Sequence, residues 1–327
     1  LFFDGWEVSS RLVNGQLLYV SSYSVSEPLF KAEDCSTFIP AFYEKDDAKY
    51  PEATDILIAD ASEPDKFLTV AKLDLNSDTS VPQLLTVFGA GSDIYCNNEH
   101  LYIFMPHYAG FATNDVAKLN GDTGMTTDIL SFDITGSAPV FRAKGCIKGG
   151  LLNTWSVDEY NGYLRLAATD SASFVYVLDG ALKQVGVSEA IAEGEQIKSV
   201  RFSENTAYVV TFYQTDPLFV LDLSDPALPV VKGELKIPGF SEYLHPAGDG
   251  LMLGIGRGGN EDGLDGSAKL SLFDVSDPEN PREVNSLVFR QAWFESDYRA
   301  FVSVGDGTFI LPITYYEDLS RMENGSI

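Results

Sequence analysis

The chain has 327 residues, of which 45% are hydrophobic and 12% aromatic, and this composition is typical of a strand-rich globular protein that buries a large core. The 48 acidic side chains outnumber 22 Lys and Arg, and the resulting net charge of −26 disfavours nucleic acid and anionic membrane surfaces as partners. No apolar run approaches the roughly 20 residues of a membrane-spanning helix, so we predict no membrane insertion within this chain.

The three cysteines are too few for a disulfide framework, and no C-x-x-C pair indicates a zinc site. We interpret Cys35, Cys96 and Cys146 as small buried thiols, with one bridged pair as the open alternative. The sequence begins at Leu1 with no signal peptide, and we interpret it as a mature or trimmed chain whose missing targeting signal carries no information.

A β-hairpin with a short polar turn recurs six times along the chain. Four copies turn at Asn-Gly or Asp-Gly, which supply the positive φ angles of a two-residue turn, and the other two turn at Asn97-Asn98 and near Glu204-Asn205. In chain order the predicted hairpins are Val8–Ser22, Asp93–Phe104, Trp155–Ala168, Val200–Phe212, Tyr243–Ile255 and Tyr298–Pro312.

Five β-rich runs end in an aspartate, and the two best copies share the pattern D-[LV]-S-D-P-x-x-P at Asp222–Pro229 and Asp274–Pro281. We predict that the first aspartate caps the turn backbone and that proline fixes φ where the chain reverses. A catalytic carboxylate pair is the alternative, but repetition in successive units favours the structural role. The five aspartates are Asp74, Asp133, Asp179, Asp222 and Asp274.

A hairpin, a capped strand and one further strand give about four strands per unit of 43–59 residues, which is the period of a β-propeller blade. We therefore predict an all-β fold, a single β-propeller domain over 1–327, with about six four-stranded blades visible in this chain. Neither end carries an obvious closing strand, so either the propeller closes in an irregular way within this chain or residues outside it complete a blade, in which case the full protein has up to seven or eight blades. Two weak helical patterns, Val187–Glu195 and Ala112–Lys118, also suit loops.

Three insertions separate a hairpin from its capped strand: Tyr23–Asp55, Pro106–Thr127 and the acidic, glycine-rich Gly256–Ser267. Because such connections leave a propeller on one face, we expect three long loops to gather at one mouth, where a ligand binds. The glycine run that starts at Gly254 opens no helix, so we interpret it as a loop and not as a dinucleotide fingerprint.

Four residues are candidate ligand-binding groups of that face: His107, Tyr108, Arg257 and Trp293. His107 follows a strand end, and the aromatic pair in loops or strand edges suits a platform that stacks on sugar. By contrast, Trp6 and Trp155 are expected in the core and His245 on a blade strand with its hydrogen bonds satisfied. No metalloprotease spacing, nucleophile elbow or phosphate loop is present, and we predict no catalytic residue.

Two acidic segments offer oxygen ligands for calcium, the one cofactor that we consider. Asp74, Asn76 and Asp78 place oxygens on alternate residues, but this segment lacks the glycine and the distant glutamate of an EF-hand loop. An ordinary solvated acidic turn is the alternative for both segments. The second set of candidate ligands consists of Asn260, Asp262 and Asp265.

Four segments carry a family resemblance: HPAGDGLMLGIG, KLSLFDVSDPENP, SDYRAFVSVGDGTFILPI and SSRLVNGQLLYVSS. From Gly5 to about Pro312 the chain resembles a family of secreted bacterial proteins with a C-terminal β-propeller domain, distantly related to WD40 repeats. The resemblance implies an extracellular or envelope-attached location, a strand before Leu1 and further β-structure after Ile327. It implies no catalytic residue, because the family has no assigned activity.

The leading functional hypothesis is a non-enzymatic, extracellular binding or scaffold module that engages a protein or a glycan through its loop-rich face. The alternative is a carbohydrate-active enzyme, a hydrolase or lyase with acidic residues at the channel mouth. The enzyme requires carboxylates or histidine close together, roughly 5–10 Å apart for a glycosidase pair. A third hypothesis, a calcium-stabilised spacer, predicts a large thermal shift with calcium and no ligand.

Overall fold

The computed structural model describes residues 2–26, 31, 33–59, 65–76, 82–108, 124–212, 216–260, 263–295, 300–305 and 307–315. These residues form strands and three short 3-10 helices, and none of the helices within them is long and apolar enough to cross a membrane. The chain divides into two compact units. The first unit comprises Leu1–Gly150 and Leu178–Lys183, and the second comprises Leu151–Val177 and Gln184–Ile327.

The first unit contains a small sheet of order β1-β4-β5, a sheet of order β2-β3-β7-β8-β6 and a sheet of order β12-β11-β10-β9. Among the described residues the paired strands of these sheets run antiparallel, except that β6 pairs with β8 in parallel. The strands are β1 (Phe2–Phe3), β2 (Trp6–Val13), β3 (Gln16–Ser24), β4 (Phe42–Glu44), β5 (Asp47–Lys49), β6 (Ile56–Ile58), β7 (Lys66–Asp74), β8 (Gln83–Phe88), β9 (Asp93–Cys96), β10 (His100–Tyr108), β11 (Met125–Asp133) and β12 (Val140–Lys148), with 3-10 helices at Cys35–Thr37 and Ala53–Asp55.

The next sheet contains β13 to β17, and the second unit continues with two four-stranded sheets of order β18-β19-β20-β21 and β22-β23-β24-β25. A last set pairs β26 with β29 and β27 with β28. The strands are β13 (Gly150–Leu151), β14 (Val157–Tyr160), β15 (Tyr163–Thr169), β16 (Ser173–Leu178), β17 (Gln184–Val187), β18 (Gln196–Ser203), β19 (Thr206–Phe212), β20 (Asp216–Asp222), β21 (Val230–Ile237), β22 (Phe240–Gly248), β23 (Leu251–Asn260), β24 (Gly263–Asp274), β25 (Arg282–Phe289), β26 (Ala292–Phe294), β27 (Val302–Gly305), β28 (Thr308–Ile310) and β29 (Ile313–Tyr315), with a 3-10 helix at Thr154–Ser156.

These sheets confirm the predicted all-β architecture and its repeated unit. Asn14, Asn161 and Asp249 have φ angles of 50°, 52° and 49°, each followed by a glycine at positive φ, as the two-residue turns require. At the second hairpin the side chain of Asn97 accepts hydrogen bonds from the N–H groups of Glu99 and His100. The sixth hairpin turns between β27 and β28, although Asp306 lies outside the described residues.

The strand-ending aspartates confirm the predicted capping role. In each of the five, Oδ1 accepts a hydrogen bond from the backbone N–H two residues later, which closes an Asx turn at the end of the third strand. The pairs are Asp74–Asn76 at 2.9 Å, Asp133–Thr135 at 2.7 Å, Asp179–Ala181 at 3.0 Å, Asp222–Ser224 at 2.9 Å and Asp274–Ser276 at 3.1 Å.

Acid should weaken the fold through these turns. Hydrogen bonds from the Ser276 hydroxyl and then from Arg282 lower the pKa of Asp274 from 3.8 to about 2. A carboxylate whose pKa is lower in the folded state stabilises the fold above its unfolded value and loses that contribution as the pH falls towards about 2. We expect Asp274→Asn to flatten the loss of melting temperature between pH 4 and pH 2, because asparagine closes the turn but does not titrate. Equal slopes for the variant and the wild type would contradict this.

The D-[LV]-S-D-P-x-x-P turn also packs against a glycine in the last strand of the preceding sheet. A Cβ atom on Gly186 in β17 would lie 2.2 Å from the carbonyl oxygen of Pro226, and one on Gly233 in β21 would lie 2.3 Å from that of Pro278. The second proline of each turn, Pro229 or Pro281, approaches the same points at 3.0 and 2.9 Å. The motif therefore joins neighbouring sheets in addition to reversing the chain.

The hydrophobic core lies between neighbouring sheets. One cluster brings Tyr208, Val210 and Val220 of the β18–β21 sheet against Leu244 and Phe273 of the β22–β25 sheet, all of them buried. Both faces of β19 are buried, because Ala207 and Val209 pack towards the preceding sheet and Tyr208 and Val210 pack towards the following one. Sheet-on-sheet packing of this kind is what the period of the repeat requires.

Several predictions from the sequence were wrong in detail. Trp6 is 50% exposed and not in the core. Cys96 is buried, but Cys35 and Cys146 are exposed, and all three are free thiols. Of the two weak helical patterns that also suited loops, Val187–Glu195 contains no helix, which agrees with the loop alternative, and Ala112–Lys118 lies outside the described residues.

The third insertion is a β-hairpin extension and not a loop, because β23 and β24 continue through Gly256–Asn260 and Gly263–Ser267. The glycine run of β23 follows from close packing. A Cβ on Gly256 would lie 1.9 Å from the carbonyl oxygen of Phe240, and one on Gly258 would lie 2.0 Å from the Ser267 hydroxyl. Gly256 is required because a Cβ there would meet rigid backbone, whereas at Gly258 the Ser267 hydroxyl could rotate away. A sequence that looks like a flexible loop is therefore a closely packed strand.

Candidate functional site

The four predicted ligand residues belong to two different units. His107 and Tyr108 end β10 in the first unit, whereas Arg257 lies on β23 and Trp293 on β26 in the second. The expected meeting of the insertions Pro106–Thr127 and Gly256–Ser267 lies outside the described residues, because 109–123 are not described. Each predicted residue is therefore described in its own surroundings.

His107 belongs to a small polar group on β10, β11 and β12. Its Nε2 lies 3.5 Å from Oδ2 of Asp128, which also receives Lys144 Nζ at 3.1 Å. Cys146 stands opposite Asp128 in the ladder. Although the residue is exposed, partial desolvation of its thiol and then a hydrogen bond to Asp128 raise the pKa of that thiol. Within the described ranges, no three His, Cys, Asp or Glu side chains are placed to hold a metal ion.

Arg257 and Trp293 have separate partners. Arg257 Nε donates to Glu242 Oε1 at 2.9 Å with its side chain half-exposed. Trp293 is half-buried and stands opposite Thr314 in the β26–β29 ladder.

The described members of the two calcium sets hold turns of their own chain. Asp74 Oδ1 accepts the N–H of Asn76 at 2.9 Å, and Asp265 Oδ1 accepts the N–H of Ser267 at 3.0 Å. The Ser267 hydroxyl also donates to Asp265 and lowers the pKa of that carboxyl. Asn260 ends β23, while Asp78 and Asp262 lie outside the described residues. Calcium binding by either segment stays a prediction.

A pocket of about 310 Å³ in the second unit is the strongest candidate site. The first strands of three successive sheets, β18, β22 and β26, border it together with the 3-10 helix Thr154–Ser156. Five aromatic side chains line it: Trp155, Phe240, Tyr243, Phe294 and Phe301. Three charged side chains also line it: Lys198, Glu242 and Glu295.

Two β-bulges bring charged side chains to this pocket. The register of β18 against β19 shifts between Ile197 and Ser199, and that of β22 against β23 shifts between Ser241 and Tyr243. In a regular strand consecutive side chains point to opposite faces, but a bulge re-aims the extra residue. Lys198 and Glu242 are those extra residues. The second bulge explains how Glu242 and its neighbour Tyr243 both line the pocket.

Three of these aromatic side chains, Trp155, Tyr243 and Phe301, form one connected wall. The rings of Trp155 and Tyr243 meet edge to face with centroids 5.7 Å apart, and Tyr243 and Phe301 lie 5.6 Å apart. The guanidinium of Arg201 sits 4.9 Å from the Trp155 ring in a cation–π contact. Asn153 caps the 3-10 helix by accepting the N–H of Trp155 at 2.9 Å, which fixes the backbone that carries the indole.

The charged groups of the pocket are acceptors and donors beside that wall. Glu242 is held by Arg257, and Glu295 Oε1 accepts a hydrogen bond from the Thr314 hydroxyl at 3.2 Å. Lys198 contributes an ammonium on the β18 side. Flat apolar rings next to carboxylates and an ammonium can stack on one face of a ligand and bind its hydroxyl groups. This pocket was not predictable from the amino-acid sequence, since a strand sequence does not reveal a bulge.

Comparison with known proteins establishes the family. The family model described as "Beta propeller domain" matches residues 1–326. The chain is 40% identical over 232 residues to an uncharacterized protein of Methanocaldococcus jannaschii, covering 68% of this chain and 34% of the relative. It is 46% identical over 171 residues to an uncharacterized protein of Archaeoglobus fulgidus, covering 51% of this chain and 27% of the relative.

The matches therefore span about a third or less of the length of these relatives. Both relatives are archaeal, so they do not support the bacterial source that the resemblance implied. The repeated hairpins, the capped third strands and the four-stranded sheets agree with the family match along the chain. This chain belongs to the β-propeller domain family.

Proposed function

We propose that this propeller is a carbohydrate-binding module that takes a short glycan segment in the pocket of the second unit. The observation that carries the proposal is the wall of Trp155, Tyr243 and Phe301 beside Glu242 and Glu295. The C–H face of a sugar ring packs on aromatic faces, and its hydroxyl groups donate to carboxylates. The extracellular setting of the proposal comes from the family resemblance alone.

The size of the pocket favours a glycan over a folded protein as the ligand. Its volume of about 310 Å³ lies at the lower end of the range for small-molecule sites, about 300–1,000 Å³. A protein partner needs a broad surface of about 800 Å² on each side. A concave site of this size instead suits one end or one short stretch of an oligosaccharide.

The carbohydrate-active enzyme is the second candidate, because Glu242 and Glu295 both line the pocket. Glycoside hydrolysis uses one carboxylic acid to protonate the leaving group and a second carboxylate as base or nucleophile. Oε1 of Glu242 already accepts a hydrogen bond from Arg257 Nε at 2.9 Å, so this side chain is placed as a hydrogen-bond acceptor rather than as a proton donor to a leaving group. Binding is therefore the first proposal and hydrolysis the second.

A glycan array followed by calorimetry with cello- and chito-oligosaccharides tests the proposal. We expect Trp155→Ala to weaken the best-binding oligosaccharide by about 2 kcal/mol, or about 30-fold, because a central tryptophan dominates such contacts. Trp6→Ala is the matched control: Trp6 is 50% exposed and lines no part of the pocket, so this variant should bind as the wild type does.

Three outcomes separate the candidates. Binding that Trp155→Ala weakens and Trp6→Ala preserves supports the module. Binding that neither substitution changes, or no binding of any oligosaccharide, contradicts the pocket proposal. Shortened oligosaccharides after incubation, which Glu295→Gln abolishes, would establish the enzyme instead.

A further inference from the structure

A histidine that lies outside the pocket forms a hydrogen bond with one of the aromatic side chains that line the pocket. His245 follows Tyr243 by two residues on β22 and is not part of the pocket lining. The Tyr243 hydroxyl and His245 Nδ1 lie 3.2 Å apart. The same tyrosine ring packs edge to face on Trp155 and contacts the pocket. A change at His245 therefore reaches the pocket through one hydrogen bond.

The surroundings of His245 are aromatic on several sides. Its ring lies 4.7 Å from that of Phe301 and 5.4 Å from that of Phe309. Among the described residues, the groups that act on it electrostatically or by hydrogen bonding are Arg201 on β18 and Tyr243 on its own strand. Burial and then the positive charge of Arg201 lower the pKa of His245 below its usual value of 6.5. The neutral imidazole is the form that this environment favours.

Protonation of His245 would change its hydrogen bond with Tyr243 and its electrostatic interaction with Arg201. A neutral imidazole with its proton on Nε2 accepts a hydrogen bond from the Tyr243 hydroxyl at Nδ1, whereas an imidazolium donates from Nδ1 to the hydroxyl oxygen, so protonation reverses this hydrogen bond and turns the hydroxyl hydrogen away from the ring. The imidazolium would also add a positive charge near Arg201, whose guanidinium already rests on the Trp155 ring. Both effects act on Tyr243 and Trp155, which line the pocket.

We propose that His245 is a positioning residue for the pocket, which in its neutral form fixes the Tyr243 ring against Trp155 and which on protonation shifts that ring, because the hydrogen bond reverses and a second positive charge appears beside Arg201. Its effect on binding rests on the proposed carbohydrate site, whereas its effect on the aromatic wall does not. Carbohydrate binding is then lost as the pH falls through the titration of His245. The free energy of unfolding also decreases as the pH falls, because a histidine whose pKa is lower in the folded state binds protons more tightly in the unfolded chain.

The first experiment uses the protein without ligand. The chain has three histidines and three tryptophans, so NMR resolves each imidazole and each indole. As the pH falls from neutral into the range below 6.5, we expect the Trp155 indole signal to titrate with the same midpoint as the His245 ring. In His245→Asn, whose amide oxygen can replace Nδ1 as acceptor but does not titrate, the indole signal should not change with pH. An indole signal that ignores the His245 titration in the wild type overturns the proposal.

The second experiment measures calorimetric affinity for cello- and chito-oligosaccharides over the same pH range. The wild type should lose about tenfold at the acid end, His245→Asn should bind equally at all pH values, and His245→Ala should bind weakly throughout. His100→Asn is the control and should keep the wild-type profile. A coupled NMR titration without any oligosaccharide binding would reject the carbohydrate function and keep the positioning role. Unchanged pH dependence in His245→Asn would reject the positioning role.

Discussion

Gly233→Ala is expected to lower the free energy of unfolding by about 3 kcal/mol, as overpacking in a closely packed interior does. The Cβ of alanine would lie 2.3 Å from the carbonyl oxygen of Pro278 and 2.9 Å from Cδ of Pro281. Both atoms belong to a rigid proline turn, so neither can move away as a flexible side chain would. The direction of this change in the free energy of unfolding is informative, because replacing a glycine in a strand by alanine ordinarily stabilises the fold by about 0.5–1 kcal/mol.

Urea unfolding followed by circular dichroism measures this change, and two further variants bracket it. Gly186→Ala should cost a similar amount, because its Cβ would lie 2.2 Å from the carbonyl oxygen of Pro226 in the preceding copy of the motif. Gly136→Ala should be nearly neutral, since the nearest atom, the carbonyl oxygen of Ala138, is 3.9 Å away. If Gly233→Ala unfolds at the same urea concentration as Gly136→Ala, the turn does not join the sheets.

The features that the sequence predicted correctly depend on residues close together in the chain. A turn at Asn14-Gly15 or Asp249-Gly250 is decided by positive φ angles, and the cap of Asp222 or Asp274 is decided by an N–H two residues later. Repetition of these local signals fixes the length of a blade, and the fold follows from that length. For this reason the all-β architecture was predictable with no knowledge of tertiary contacts.

The features that the sequence did not predict depend on distant residues. Gly233 must be glycine because of a turn 45 residues later, and Gly256 must be glycine because of the carbonyl oxygen of Phe240 on the facing strand. Lys198 and Glu242 reach the pocket through bulges that no local pattern marks. Trp155 follows the same rule. We predicted Trp155 in the core as a strand residue, but it lies in a 3-10 helix, where its indole contacts Tyr243 and Arg201.

Arg165 is the second residue whose loss should have a large effect, because it joins two sheets of the second unit through a buried charge. Its side chain is only 4% exposed. The guanidinium donates to Asp158 on the paired strand and to the carbonyl oxygen of Glu204 in the hairpin turn of the next sheet. It also lies 4.9 Å from the ring of Tyr160 and 5.2 Å from that of Phe202.

We expect Arg165→Met to lower the free energy of unfolding by about 3 kcal/mol, since it leaves a partly buried carboxylate and a carbonyl without their donor. Arg257→Met is the matched control: that arginine also pairs with a carboxylate, but it is 53% exposed, and such pairs contribute about 0–1 kcal/mol. Equal losses in the two variants would contradict a special role for the buried position.

The double variant Arg165→Met with Asp158→Asn separates the charge from the packing. If the cost of Arg165→Met comes mainly from the abandoned carboxylate, removing that charge should recover at least about 1 kcal/mol relative to the sum of the single variants. If the cost comes from the rings of Tyr160 and Phe202 and from the carbonyl of Glu204, the two substitutions should simply add. We expect recovery, because methionine still packs between the two rings but offers nothing to Asp158.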